Sequence, residues 1–201
     1  KCYEVIKQMY EKDYSELFQI FYGTHISMIR DVNDNLMSMT PEPFFVLDLP
    51  IPANNKSPTL LDCFELYVES EILDVDNAFL DEKTNIKVSA KKNLTFWNFP
   101  DVLVIDIKRF NSNNKKNQIM IDCPLENLNL SKYVAGYNPS SFVYDLYGVC
   151  NHGGSSLGGH YTATIRTANN DWYSFNDATV TPITEHIITS KAYCLFYRKR
   201  S

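Results

Sequence analysis

The chain of 201 residues contains no C-x-x-C pair, so the ligand spacing of a four-cysteine zinc site is absent. Its five cysteines, Cys2, Cys63, Cys123, Cys150 and Cys194, are an odd number without framework spacing. They exclude a disulfide scaffold and suit a reducing intracellular compartment, cytoplasmic or nuclear. No apolar run approaches the ~20 residues that a membrane helix needs, and no signal-peptide pattern opens the sequence. Positive charge is also in short supply: 19 Lys and Arg face 24 Asp and Glu, for a formal net charge of −5. Basic residues are scattered apart from Lys115-Lys116 and Arg198-Lys199-Arg200, which argues against a nucleic-acid partner. Glycine is scarce too, and here the scarcity is informative. Four of the seven glycines fall in Gly153-Gly154-Ser155-Ser156-Leu157-Gly158-Gly159, which leads straight into His160.

Such a stretch permits positive φ and close approach of another backbone. Downstream of it, Tyr161 to Thr167 and Trp172 to Asn176 are rich in Tyr, Thr, Ile, Trp and Phe, with Ala168-Asn169-Asn170-Asp171 as turn material between them. The pair reads as a β-hairpin. A two-residue loop at Ala168-Asn169 sets His160 opposite Asp177, and one at Asn169-Asn170 makes them diagonal neighbours. Either register leaves both on one face, because side chains alternate with period two. Directly opposed Cβ atoms lie about 4.5–5.5 Å apart, so imidazole and carboxylate can hydrogen-bond as a base and its orienter. The alternative is a His–Asp pair that only stabilises a hairpin. The flexible segment beside it favours the catalytic reading.

A coarse pass places the rest. Val5, Ile6, Met9, Tyr10, Leu17, Phe18 and Phe21 recur at helical spacing, predicting one or two helices over residues 3–22 with this stripe as core. Phe44 to Leu49 is a strand. Ser57-Pro58 supplies an N-cap and a first-turn proline for a helix to about Ser70, with Leu60, Leu61, Phe64 and Val68 inward. Residues 74–98 are mixed and read as extended strands. Val102 to Phe110 is a central strand, and residues 111–117 form a polar loop. Ile119 to Ile121, Tyr144 to Asn151, the His160 hairpin and Tyr193 to Arg198 complete an antiparallel sheet.

Several segments match one family together. Tyr144 to Gly154, Gly158-Gly159-His160-Tyr161-Thr162-Ala163 and Trp172-Tyr173-Ser174-Phe175-Asn176-Asp177 resemble the histidine box of the ubiquitin-specific proteases, papain-like cysteine peptidases that remove ubiquitin. Glu42-Pro43-Phe44-Phe45-Val46-Leu47-Asp48-Leu49 is similar to the family's E-P-F-x-x-L-x-L segment. Phe99 to Phe110 is similar to its P-x-x-L-x-x-x-L-K-R-F strand, with Ile107 in place of the second leucine. Ala192-Tyr193-Cys194-Leu195-Phe196-Tyr197-Arg198 is similar to its closing strand.

The resemblance implies an α+β, papain-like fold with an antiparallel palm sheet (roughly 100–201) and fingers (roughly 22–100). It implies ubiquitin and ubiquitinated proteins as partners; the composition and the missing C-x-x-C pairs add the expectation of no nucleic acid, no membrane and no cofactor. His160 and Asp177 would be catalytic. His152, Gly153, Gly154, Gly158, Gly159 and Tyr161 would border the channel for ubiquitin's Gly-Gly tail, the alternative for His152 being a solvated loop histidine. His25 and His186 read as structural or exposed.

Two departures qualify this. The family's nucleophile sits in a G-N-T-C-Y-x-N box, and nothing here matches it. Cys63, Cys150 and Cys194 read as small core residues, Cys123 precedes a proline, and Cys2 has only Tyr3 in common with the box. The expectation is a catalytic domain lacking its N-terminal thumb lobe and nucleophile, inert by itself. The other departure is the missing zinc pairs, which leaves the fingers held by strand pairing and packing. A catalytically inactive ubiquitin-binding module is the alternative. A transglutaminase-like enzyme shares the Cys-His-Asp logic, but the E-P-F and L-K-R-F segments speak against it.

Overall fold

The computed structural model describes residues 4, 7, 8, 11, 16–82 and 84–200. Two helices and fourteen strands follow one another as α1 (Glu16–Phe21), β1 (Gly23–Arg30), β2 (Leu36–Phe44), β3 (Val46–Leu49), α2 (Leu60–Val68), β4 (Glu71–Leu73), β5 (Phe79–Asp81), β6 (Ile86–Val88), β7 (Ala90–Asn98), β8 (Val102–Ile107), β9 (Leu128–Asn129), β10 (Val143–Ser155), β11 (Gly158–Arg166), β12 (Trp172–Asn176), β13 (Thr179–Ile183) and β14 (Ala192–Lys199), among the described residues.

The strands form two main sheets. The smaller has the order β2-β1-β7-β4, and β5 and β6 pair separately. The larger runs β13-β12-β11-β10-β14-β8-β3, with β9 added on β10. It is antiparallel except at one end, where β3 lies parallel to β8 through Val46↔Val104 to Leu49↔Ile107. The expected all-antiparallel sheet is corrected there. β3 therefore joins the large sheet although it falls within residues 22–100, so the two sheets interleave along the sequence. The Phe44–Leu49 segment is also two strands, broken at Phe45.

Aromatic rings pack the small sheet against α2 and the segments that flank the large sheet. Phe96 on β7 stacks on Phe99 at 4.3 Å, and Phe44, Phe64, Tyr133 and Phe142 pack around them. Phe64 and Phe96 are fully buried, and each such ring contributes roughly 1.5–3 kcal/mol by leaving water. On β8, Leu103, Ile105 and Ile107 alternate inward with almost no exposure. This is the period-two signature of one face on a core.

Three local expectations are corrected. The N-cap of α2 is Thr59, not Ser57: its Oγ1 accepts from Asp62 N at 3.1 Å, while Asp62 Oδ2 accepts from Thr59 N at 2.8 Å. This reciprocal capping box satisfies two donors at once, which Ser57 could not do from two residues further out. Residues 119–121 form no strand; nearby backbone pairing is limited to isolated bridges such as Thr59↔Asp122. Helix α1 has no buried residue, and Leu17 is 59% exposed. Phe18 and Phe21 make ring contacts with Tyr22 and Phe45 instead of filling a core. Val5, Ile6, Met9 and Tyr10 of the same stripe lie outside the described residues, as does Cys2.

Candidate active site

His160 stands on β11 and Asn176 ends β12. The hairpin between them has a three-residue loop. Thr167 N donates to Asp171 O at 2.9 Å, Asn170 N donates to Thr167 O at 3.0 Å, and Asn170 takes φ of 68°. This is a tight turn followed by a left-handed residue, which asparagine tolerates. The ladder runs Ala163↔Phe175 to Arg166↔Trp172. Neither two-residue register holds, and the one-residue difference moves every β12 side chain to the other face. Extended to His160, this register brings Asn176 onto the histidine's face and assigns Asp177 the other parity.

The distances follow. His160 Nε2 lies 2.6 Å from Asn176 Oδ1 and 3.9 Å from Asp177 Oδ2. Asp177 reaches that far only because it has left the strand. With Ala178 it turns between β12 and β13, whose ladder closes at Asn176↔Thr179, and its φ is 50°. The expected direct His160–Asp177 pairing is thus replaced by His160–Asn176, with the Asp177 carboxylate as an outer charge. Sequence reasoning missed Asn176. The signal that finds it is Asn170, whose left-handed preference selects the three-residue loop.

An amide oxygen accepting from Nε2 requires the proton on that nitrogen, so Nδ1 carries the lone pair. Among the described residues Nδ1 has no hydrogen-bond partner. This is a base held by one nitrogen and open at the other, as in a Cys-His-Asn site.

The glycine stretch is a hairpin end, not a slack loop: β10 runs to Ser155, β11 starts at Gly158, and they pair through Gly153↔His160, Gly154↔Gly159 and Ser155↔Gly158. Two glycines are fixed by the fold. Gly154 has φ of 124°, and a Cβ on Gly159 would stand 2.3 Å from His152 Nε2 and 2.4 Å from Gly153 O. The other two are not. A Cβ on Gly153 meets nothing nearer than 3.9 Å, and one on Gly158 meets nothing within 4 Å. Gly153 is the cross-strand partner of His160, so its missing side chain leaves the imidazole's flank open.

His152 and Tyr161 project from the opposite face of the β10–β11 ribbon, by alternation from Gly153 and His160. His152 is 4% exposed, which corrects the solvated-loop alternative. Its ring packs on Tyr161 at 4.7 Å, Tyr193 at 5.7 Å and Phe110 at 5.9 Å. Lys116 Nζ donates to its Nδ1 at 3.0 Å and to its carbonyl oxygen. Burial, then the Lys116 ammonium, holds the His152 pKa below its ordinary value. The 111–117 loop is therefore tied to β10, and Ser156 Oγ reaches Asn114 O at 3.4 Å. Arg109, 1% exposed, anchors the loop's base by donating to Ala192 O, Asn117 O and Ile119 O at 2.6, 3.1 and 2.9 Å.

No described cysteine is placed or poised as a nucleophile. Burial pushes Cys63 up to about 11, Cys123 to about 12 and Cys194 to about 12, and raises Cys150. Thiolate chemistry needs the opposite shift.

The ubiquitin carboxyl-terminal hydrolase family model matches residues 4–197. The chain belongs to that family. It is 36% identical over 200 residues to ubiquitin carboxyl-terminal hydrolase 21 of Homo sapiens, covering 96% of this chain and 35% of that protein. It is 32% identical over 207 residues to ubiquitin carboxyl-terminal hydrolase 2 of Gallus gallus, covering 100% and 58%. The chain thus spans about a third to somewhat over half the length of these hydrolases. Among solved structures, a chain of the SAGA Ubp8/Sgf11/Sus1/Sgf73 DUB module bound to ubiquitin aldehyde superposes with a TM-score of 0.78 at 26% identity, covering 98% of this chain and 48% of that one. A variant of the same module gives 0.81 at 28% identity, covering 100% and 46%. The sheet-rich α+β fold is that of a ubiquitin-specific protease catalytic region, and the family is one of cysteine peptidases. Among the described residues no helix is long and apolar enough to cross a membrane.

Proposed function

We propose that this chain is the palm-and-fingers part of a deubiquitinating thiol hydrolase that cuts the peptide or isopeptide bond after ubiquitin's C-terminal glycine. The observation that carries this is the 2.6 Å bond from His160 Nε2 to Asn176 Oδ1, made beside an open glycine hairpin with Nδ1 unpartnered among the described residues. In this reading His160 Nδ1 takes the proton of a cysteine thiol, and the imidazolium later protonates the leaving amine. Asn176 holds the ring, and the Asp177 carboxylate at 3.9 Å stabilises its positive form. His152, Gly153, Gly154, Gly158, Gly159 and Tyr161 border the tail channel, with the small sheet as fingers and the large sheet as palm. Ubiquitin and ubiquitinated proteins are the partners.

The thiolate does not come from Cys63, Cys123, Cys150 or Cys194. Without it the His–Asn pair has no covalent chemistry to perform. A second reading, a ubiquitin-binding module without turnover, is favoured by those four suppressed thiols. Both are tested on the 201-residue chain with a fluorogenic ubiquitin substrate, a thiol-reactive ubiquitin probe and ubiquitin titration. Binding without hydrolysis or labelling is expected. Labelling lost in Cys2→Ser would place the nucleophile at Cys2, and absence of any ubiquitin binding would end both readings.

A further inference from the structure

The Arg198-Lys199-Arg200 run, unusual in an acidic chain, is not used by the histidine site. Its two arginines line a cavity of about 420 Å³ at the other end of the large sheet. Arg166, Arg198 and Arg200 border this cavity with Glu126, Asp145 and Tyr147. Arg166 stands six residues along β11 from His160, about 20 Å away.

The charges in this wall do not cancel. Glu126 Oε1 is already engaged by Arg166 Nη2 at 2.8 Å. Asp145 accepts from Asn127 N through Oδ1 at 2.9 Å and from Arg200 Nε through Oδ2 at 3.2 Å. Both carboxylates are therefore occupied, while donors remain. Among the described residues Arg166 Nη1 has no hydrogen-bond partner, while Nε, also unpartnered, is sealed from solvent. Among the described residues the Arg198 side chain makes no ion pair or hydrogen bond. Two guanidinium groups with free N–H positions, in a polar recess with one positive charge left over, match the oxygens of a tetrahedral dianion. The cavity is much larger than one such ion, and Tyr147 on its wall offers an apolar surface to whatever the ion is attached to.

We propose that this cavity binds the phosphate group of a phosphate monoester, held by Arg166 Nη1 and Arg198. The site is independent of the ubiquitin site and of its assignment.

The test is nuclear magnetic resonance of the 201-residue chain with labelled arginine side chains, titrated at constant ionic strength. The probes are inorganic phosphate, phenyl phosphate, benzoate and a phosphoserine pentapeptide. Phenyl phosphate is expected to shift the Arg166 guanidinium resonances and to bind more tightly than inorganic phosphate. Arg198→Gln, an exposed change, should weaken it by about tenfold or more, while Arg30→Gln on β1 leaves it unchanged. A pentapeptide tighter than phenyl phosphate assigns the source to a phosphorylated chain, and the reverse order to a small ester. Benzoate binding as tightly as phenyl phosphate would overturn the phosphate assignment. Arg166 guanidinium resonances that no phosphate probe moves would overturn the site itself, without recourse to any variant.

Discussion

Gly153 and Gly159 sit in the same hairpin, six residues apart, and should respond oppositely to one methyl group. At Gly159 the methyl carbon would arrive 2.3 Å from His152 Nε2 and 2.4 Å from the Gly153 carbonyl. The ring cannot yield, because Lys116 and three aromatic rings hold it and it is 4% exposed. Overpacking of this kind costs about 1–3 kcal/mol. At Gly153 the nearest atom is 3.9 Å away and φ is not left-handed, so alanine fits. Its lower unfolded-state entropy then stabilises by roughly 0.4–1 kcal/mol. Urea unfolding of each variant, followed by the fluorescence of Trp97 and Trp172, should separate Gly159→Ala from Gly153→Ala by about 1.4–4 kcal/mol. In the full-length protein Gly153→Ala should nevertheless lower ubiquitin turnover about tenfold or more, because the methyl stands beside His160. Equal destabilisation by both substitutions would refute the steric argument. A stable Gly153→Ala variant with unchanged turnover would refute the functional one.

Asp106, half-buried on β8 beside Asp48 on β3, is pushed up to about 6 by burial and by that neighbouring carboxylate. A raised folded pKa means the folded state binds its proton more tightly. The destabilisation is therefore absent below about 3.8, grows with rising pH and is complete above about 6. Asp106→Asn should stabilise the chain by roughly 1–2 kcal/mol at pH 7.5, discounted for partial exposure, and by nearly nothing at pH 4; the same gain at both pH values would contradict this. Cys63, Cys123, Cys150 and Cys194 should resist iodoacetamide at pH 7.4 in the native chain and react once unfolded, as mass spectrometry would read directly. Arg109→Met leaves three carbonyl oxygens without their donor and, at about 1–3 kcal/mol for each buried acceptor left unsatisfied, should cost about 3 kcal/mol or more in urea unfolding. Chelator-treated protein should keep its melting temperature, since no C-x-x-C pair supplies a zinc site.

What the sequence revealed and concealed divides along physical lines. The glycines before His160 and the aromatic run before Asp177 marked the hairpin, since turn and strand preferences are local. Register was local too, but finer than strand and turn preferences: it turned on one residue of loop length, and Asn170 at φ of 68° decided it. That single step exchanged Asp177 for Asn176 as the near partner of His160. The buried position of His152 was hidden because it depends on Phe110, Tyr193 and Lys116 arriving from other segments. The Thr59 cap was present in the sequence as T-x-x-D and lost to the more conspicuous Ser57-Pro58. The exposure of Leu17 could not be read from helical spacing, which says which face is apolar but not what meets it.

The central claim is that His160 acts as the base of a ubiquitin hydrolase with Asn176 as its nearer orienter. Turnover of a fluorogenic ubiquitin substrate by the full-length protein, compared for His160→Ala, Asn176→Ala and Asp177→Ala at matched ubiquitin affinity, tests it most directly. His160→Ala should abolish turnover, and Asn176→Ala should cost more than Asp177→Ala, following 2.6 Å against 3.9 Å. Full activity in His160→Ala, or a larger loss in Asp177→Ala than in Asn176→Ala, would contradict it.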